Sequence, residues 1–447
     1  TPAVVGPQSP PAPPSPKEQK RTETSSSASL QQRLTDTLQI GGRLEIRVDS
    51  NNREGVKAGG TELTKLKQAD VYFDTRPNKN VRTFLKLRFA EGGSTGGAPA
   101  VNSDSGTKTD ICASACVRTD MDEMWLKWDI AQRIYMTFGK QHVRWGSGRT
   151  WNPSDFTSVR VVDPLALFDR RLGVDMLRIH MPIESLGYNF YAAVLYGNAK
   201  TVDQVTGALR GEFAFAGKGE AAISFQMAAH APIRAALDVS AGLGPVDVHT
   251  ETVFTKRQSQ TLYKGQLDPS AGELPTAYRD ADRWFVQSLV GIDRTIKYSA
   301  DDSVTIGSEF FYNQFGYDRR DLELYSIVTG QSPALYGGKR YVAGFVNLPN
   351  PGNWNDTSFL FNVVSNLADK TGQLRLTASH RIYKEADFQA YVSRCYGDFG
   401  ELCFRTSDEL RALGASPFAS QQVQQAVQAL PTKRNLTTAG LGIVVKF

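Results

Sequence analysis

The chain contains no apolar run approaching the roughly 18–20 residues that a membrane-spanning helix needs, so helical spans are excluded. Histidine is sparse: the five residues stand apart at 142, 180, 230, 249 and 380. No Walker A, HExxH or Rossmann glycine run occurs, so no catalytic residue, metal ligand or cofactor is expected. His142 lies near Asp155 in sequence, but a lone His at a strand end reads as structural rather than catalytic. A one-sided charge is also missing. The chain holds 51 basic and 46 acidic residues, interspersed, for a net +5, which gives no footprint for nucleic acid. No initiator Met or signal-like apolar stretch is present, which reads as a mature form numbered from a cleavage site.

Alternation is what the chain has in abundance. From about residue 37 it becomes a succession of segments near ten residues long, apolar on one parity and polar on the other. Leu38, Ile40, Leu44, Ile46 and Val48 oppose Gln39, Arg43, Glu45 and Arg47. Val81, Leu85, Leu87 and Phe89 oppose Arg82, Lys86 and Arg88. Met124, Leu126, Trp128 and Ile130 oppose Glu123, Lys127 and Asp129. In 283–299 an apolar row is closed by Trp284 and Tyr298, as at two membrane interfaces, with Arg294 as an exception calling for a bulge or a snorkelling side chain. The parity of 172–181 is muddled, and a bulge is expected there too. The low mean hydropathy of −0.34 fits such a chain, because lipid-facing and lumen-facing residues cancel.

The connectors alternate in length. Tight turns fall at 77–80, 131–132, 184–187, 216–219, 242–245, 300–302 and 384–387, and long links lie between them, including 91–118, 145–171 and 396–434. The expected fold is therefore all-β: a transmembrane, antiparallel, up-and-down barrel over 37–447. It has about 18 strands (16 being the alternative), periplasmic turns and long extracellular loops. The four cysteines, paired closely as Cys112/Cys116 and Cys395/Cys403, read as two local disulfides in those loops. Residues 1–36, rich in Pro, Ser and Thr, cannot bury a core and read as a disordered periplasmic tail. In the last long link, Ser416-Pro417 reads as a helix start, with an apolar stripe through Phe418, Val423, Val427 and Leu430.

The polar parity supplies the expected pore lining: Arg43, Arg47, Arg82, Lys86, Arg88, Glu123, Lys127, Arg210, Glu212, Arg375 and Arg381. Glu45, Arg234, Asp238, Glu251 and Glu309 lie on the same face. Charged side chains cannot face hydrocarbon cheaply, so they line water or pair across the lumen. The basic group of Arg43, Arg47, Arg82, Lys86 and Arg88 hints at anionic or carbohydrate cargo. The link 145–171 carries both signs in Arg149, Asp155, Arg160, Asp163, Arg170 and Arg171, and is expected to fold inward as a constriction.

The closing octapeptide GLGIVVKF resembles the C-terminal signal of Gram-negative outer-membrane barrels, with Gly442, Val445 and Phe447 at the matching positions. The stretch 139–156 is similar to a strand-and-loop segment of porin-like families, through Gly139, Gln141, Trp145, Gly146, Asn152, Pro153 and Asp155. The resemblance implies integral residence in the bacterial outer membrane, contact with its lipid, and recognition by the barrel-assembly machinery during insertion. It implies a porin-like channel for polar solutes. Two alternatives keep the barrel: a component of an envelope-spanning export machine (polysaccharide secretion, for example), with residues 1–36 reaching a periplasmic partner, or a structural scaffold. A soluble all-β binding protein is the third alternative.

Overall fold

A computed structural model describes residues 37–55, 61–91, 117–157, 172–197, 199–215, 219–229, 232–257, 260–331, 336–404, 407–428, 430–433 and 435–447. Alternation resolves into strands β1 (Leu38–Arg53), β2 (Glu62–Asn78), β3 (Val81–Glu91), β4 (Val117–Ile130), β5 (Ile134–Gln141), β6 (Val174–Ile183), β7 (Tyr188–Leu195), β8 (Thr206–Phe215), β9 (Gly219–Met227), β10 (Ile233–Leu243) and β11 (Val246–Lys256). The short strands β12 (Leu262–Lys264) and β13 (Thr276–Tyr278) form a separate hairpin. The series resumes with β14 (Phe285–Lys297), β15 (Ser303–Asn313), β16 (Arg340–Pro349), β17 (Thr357–Asn366), β18 (Thr371–Tyr383), β19 (Ala386–Tyr396) and β20 (Asn435–Lys446). Eighteen strands make one sheet of antiparallel neighbours, and β20 pairs back onto β1. The sheet is a closed barrel with no free edge.

Because successive side chains alternate across a strand, each strand puts one row outward and one inward. The outward row is an apolar belt: Ile46, Leu126, Phe138, Leu209, Phe225, Leu237, Ile292, Phe310, Leu376 and Ile443 are all exposed. The inward row holds the buried charges. The belt is the surface that a hydrocarbon layer, rather than water, would cover. One rim carries the short turns together with Leu38 and Phe447; the other carries the long links.

Neither Arg294 nor β6 is accompanied by a bulge. Arg294 stays in regular register opposite Ile306 and remains on the outer face, two positions short of Ile296 and four short of Tyr298 at the turn rim. Its long side chain can reach the rim by snorkelling, so no backbone irregularity is required. In β6 the pairing with β5 and β7 is also unbroken. Its parity looks muddled because the inward Met176 is apolar, packed in a cluster with Trp145 and Phe156 from the preceding link. A bulge does occur in β4, where Lys86 faces Glu123 but Leu87 faces Met121, so Asp122 is the extra residue.

Over the long-link rim lies a small helical layer. The helices Arg320–Val328, Asp408–Ala415 and Gln421–Gln428 share a core with Leu267 of the β12–β13 hairpin region. Ser416 ends one helix instead of starting the next, and the Ser420 hydroxyl accepts from the Val423 amide at the start of the last. Of the expected stripe, Val427 and Leu430 are buried and Val423 packs against the same core, whereas Phe418 is exposed. Cys395 and Cys403 form a disulfide with an S–S distance of 2.06 Å, linking the end of β19 to this layer. Cys112 and Cys116 lie outside the described residues, as do Arg160, Asp163, Arg170, Arg171 and the tail 1–36.

Candidate functional site

The inner face of β1–β4 carries the basic group seen in the sequence, and every member has an acidic partner. Arg43 donates to Glu45 at 2.9 Å, and Arg47 pairs with Asp49 at 2.8 Å and with Glu45 at 3.3 Å. Arg82 grips Asp74 with two bonds of 2.8 and 2.6 Å. Arg88 reaches Asp70 at 3.1 Å and Asp122 at 2.8 Å, and Lys86 joins Asp122 at 2.8 Å. Five cations thus meet five carboxylates (Glu45, Asp49, Asp70, Asp74 and Asp122). The wall is a lattice of donors and acceptors with little net charge. Asp70 and Asp74 were legible as the parity opposite Val71 and Phe73; Asp122 was not, because only the bulge turns it inward.

Farther round the barrel, Arg210 is buried and bidentate on Asp238 at 2.7 and 2.8 Å, with Glu212 at 2.7 Å and Ser224 at 3.0 Å completing its donors. Glu123 accepts from the Trp125 indole at 3.1 Å. The Lys127 ammonium stands 5.1 Å from the Tyr135 ring centre, and the Arg375 guanidinium 4.6 Å from that of Tyr391. Arg381 sits apart from these, exposed on the short-turn rim near Asp356 and Asp387.

The segment 142–157 leaves β5 and folds into the barrel instead of over its rim. Its backbone amides wrap two inward carboxylates. Glu251 on β11 accepts from Ser147 N at 2.7 Å, Gly148 N at 2.6 Å, Ser154 N at 3.1 Å and Ser154 Oγ at 2.8 Å. Glu309 on β15 accepts from Arg149 N at 2.5 Å, Thr150 N at 2.7 Å and His249 Nε2 at 2.7 Å. These charge-assisted bonds satisfy both buried carboxylates and fix the chain between them. Gly146 has φ +92°, and a Cβ there would run into the Glu251 carboxylate, so glycine is required. Trp151 stacks on Phe311 at 5.4 Å, while Trp145 and Phe156 fill the apolar patch around Met176. Arg149 reaches Asp293 at 3.3 Å. Asp155 turns back on its own segment, accepting from Thr157 Oγ1 at 2.6 Å. His142 does not meet Asp155; its Nε2 lies 2.9 Å from Asp122 Oδ1.

A second buried polar group joins the helical layer to the rim. Asn366 Nδ2 donates to Glu323 Oε1 at 2.6 Å and to Glu401 Oε2 at 3.0 Å, and Tyr341 Oη donates to Glu401 Oε2 at 2.5 Å. The Gly337 amide donates to Glu401 Oε1 at 2.9 Å. Glu323 Oε2 is buried with no hydrogen-bond partner among the described residues. Burial, reinforced by the neighbouring Glu401 and Asp369, pushes the Glu323 carboxyl well above its ordinary range; burial raises Glu401 and Asp369 as well. Burial and the like charge of the neighbour both disfavour the ionised form of these carboxyls.

The same fold is found in solved structures of two Pseudomonas aeruginosa proteins. The crystal structure of Pseudomonas aeruginosa OccK8 (OprE) matches at TM-score 0.52 with 7% identity, covering 92% of this chain and 98% of that one. That of Pseudomonas aeruginosa OpdK with vanillate matches at TM-score 0.50 with 8% identity, covering 91% and 98%. No protein-family profile matches the chain, and no curated protein is significantly similar to it.

Proposed function

We propose that this protein is an integral outer-membrane channel that passes polar solutes through a charged lumen narrowed by the segment 142–157. The observation that carries the reading is the seating of that segment on Glu251 and Glu309, inside a closed barrel whose inner face is polar and whose outer face is apolar. A soluble all-β protein would have no use for a continuous apolar exterior. A scaffold would gain nothing from buried carboxylates that hold a loop within the lumen, since well-packed apolar side chains fill space at lower cost. Arg43, Arg47, Arg82, Lys86, Arg88, Glu123, Lys127, Arg210, Glu212 and Arg375 line the path, with Arg381 at its short-turn mouth. Arg149 and Asp155 belong to the narrow zone. Contact with outer-membrane lipid and recognition of the C-terminal residues Gly442, Val445 and Phe447 by the assembly machinery belong to the same reading. Nothing among the described residues favours the export-machine alternative, which rests on the tail 1–36.

Swelling of proteoliposomes tests it. Vesicles loaded with an impermeant dextran and diluted into isotonic arabinose are expected to swell when they contain the protein, and more slowly in larger sugars. Swelling no faster than in protein-free vesicles contradicts a channel.

A further inference from the structure

The inner wall carries aromatic rings that neither the ion-pair lattice nor the inward segment accounts for. On β2, β3 and β4 the inward residues Tyr72, Phe84 and Trp125 lie with centroids 5.8 and 5.3 Å apart and planes 22° and 19° from parallel. On β5, β6 and β7 a second row runs Tyr135, His180, Tyr191, with centroids 5.9 and 4.5 Å apart and planes 30° and 9° from parallel. Lys127 joins the two rows. It is the next inward residue after Trp125 on β4, and its ammonium rests over Tyr135.

All six rings are half-buried, so each keeps surface toward the lumen. The segment 142–157 seats on β11, β14 and β15 and touches β4 through His142 and Asp122; of the six rings, Tyr191 packs against the cluster that holds its Trp145 and Phe156. Among the described residues none of the rings but Tyr191 borders a buried apolar cluster.

The chemistry beside the rings narrows the class of ligand. Arg82 lies 5.4 Å from the Trp125 ring centre but is already committed to Asp74 by two bonds. Trp125 gives its indole N–H to Glu123, and His180 Nε2 faces Asn189 Oδ1 at 3.0 Å. The wall therefore offers apolar ring surface edged by fixed, mutually neutralised donors and acceptors. An inorganic anion has no use for the rings, and a hydrocarbon has none for the charges. A sugar ring matches both, with axial C–H groups against an aromatic surface and hydroxyls around its edge toward carboxylate and guanidinium.

We infer that the stripe Tyr72–Phe84–Trp125–Tyr135–His180–Tyr191 is a binding track for linear oligosaccharides. The inference rests on the channel reading above, since the wall must be reachable by solute.

The test uses the full chain in a planar bilayer in potassium chloride, with maltohexaose as the probe. Graded, saturable block of the current is expected. Trp125→Ala or Tyr191→Ala should raise the half-blocking concentration about tenfold, the scale of one lost ring contact. Trp125→Phe, which keeps a ring, should stay near the parent value, as should Trp354→Ala on the outer rim. Absence of block, block indifferent to Trp125→Ala, or block by benzoate but not by maltohexaose overturns the track. Tryptophan fluorescence of the detergent-solubilised protein, titrated with maltohexaose, separates the two claims. Binding without conductance retires the channel and keeps the track; conductance without block or binding retires the track and keeps the channel.

Discussion

Phe447 closes the barrel on Gly42. The Gly42 amide donates to the Phe447 carbonyl at 2.8 Å, and the Phe447 amide donates to the Gly42 carbonyl at 3.1 Å. The Phe447 ring lies where a side chain on residue 42 would have to go. The last residue is thus paired into the seam rather than frayed, and β1 has a glycine at that point because the ring covers it.

Deleting Phe447 is therefore expected to remove two backbone bonds, about 1–3 kcal/mol together. Phe447→Ala keeps both bonds, and the ring is 63% exposed, so its equilibrium cost should be smaller. Urea unfolding in lipid vesicles, followed by the gel shift between folded and unfolded barrel, measures both. Equal losses would show that the ring, not the pairing, closes the seam.

Arg210 is the most committed cation of the inner wall, buried with donors to Asp238, Glu212 and Ser224. Arg210→Ala leaves two carboxylates without their partner and is expected to cost about 3–5 kcal/mol in the same unfolding assay. Arg210→Lys should recover little, because an ammonium cannot reproduce the planar fork on Asp238. Full recovery by lysine would mean that charge alone matters there.

The turn between β4 and β5 places Ala131 and Gln132 at φ +54° and +55°, a left-handed pair without glycine. Asn-Gly is the pair that such a two-residue turn favours. Ala131→Asn with Gln132→Gly is expected to stabilise the barrel by about 1 kcal/mol through relief of backbone strain. Unchanged or reduced stability in urea would refute that assignment of the strain.

The glutamate pair predicts a pH dependence of the helical layer. Glu323 and Glu401 titrate above the ordinary value of 4.5, so the docked layer binds more protons than the undocked one. Stability rises with pH only where the unfolded state binds more protons. Here the sign is opposite: docking is strongest below about 4.5 and weakens as pH rises toward the elevated pKa values. The other groups at the pair are Asp369, Tyr341, Asn366 and, beside Asp369, Arg320. Protection factors from hydrogen exchange over 320–328 should fall as pH rises above about 4.5 in the parent protein. In Glu323→Gln, which is neutral throughout, they should fall much less. An equal decline in both would place the titration elsewhere.

Much of this was legible before folding. The eighteen barrel strands were legible mainly through alternation, muddled in β6 by the apolar inward Met176, because a sheet with lipid on one side and water on the other must write period two into its sequence. The seating of the link 142–157 on Glu251 and Glu309 was hidden, because its backbone amides, and not its charged side chains, make most of those bonds. Asp122 was hidden, since a one-residue bulge shifts parity without changing composition. The pairing of the basic group with Asp70 and Asp74 was hidden too, because cross-strand register decides it. The last helix starts at Gln421 rather than Pro417 because the preceding helix, Asp408–Ala415, uses Ser416 as its C-cap.

The central claim is that the segment 142–157 narrows a water-filled path and is held by Glu251 and Glu309. Single-channel recording of the parent and of Glu251→Ala with Glu309→Ala tests it most directly. The parent should show discrete openings of small unit conductance. The double variant, lacking the acceptors for five backbone amides and Ser154 Oγ, should show larger or noisier openings as the segment leaves the lumen. A barrel that inserts and folds yet passes no current in either form would contradict the account.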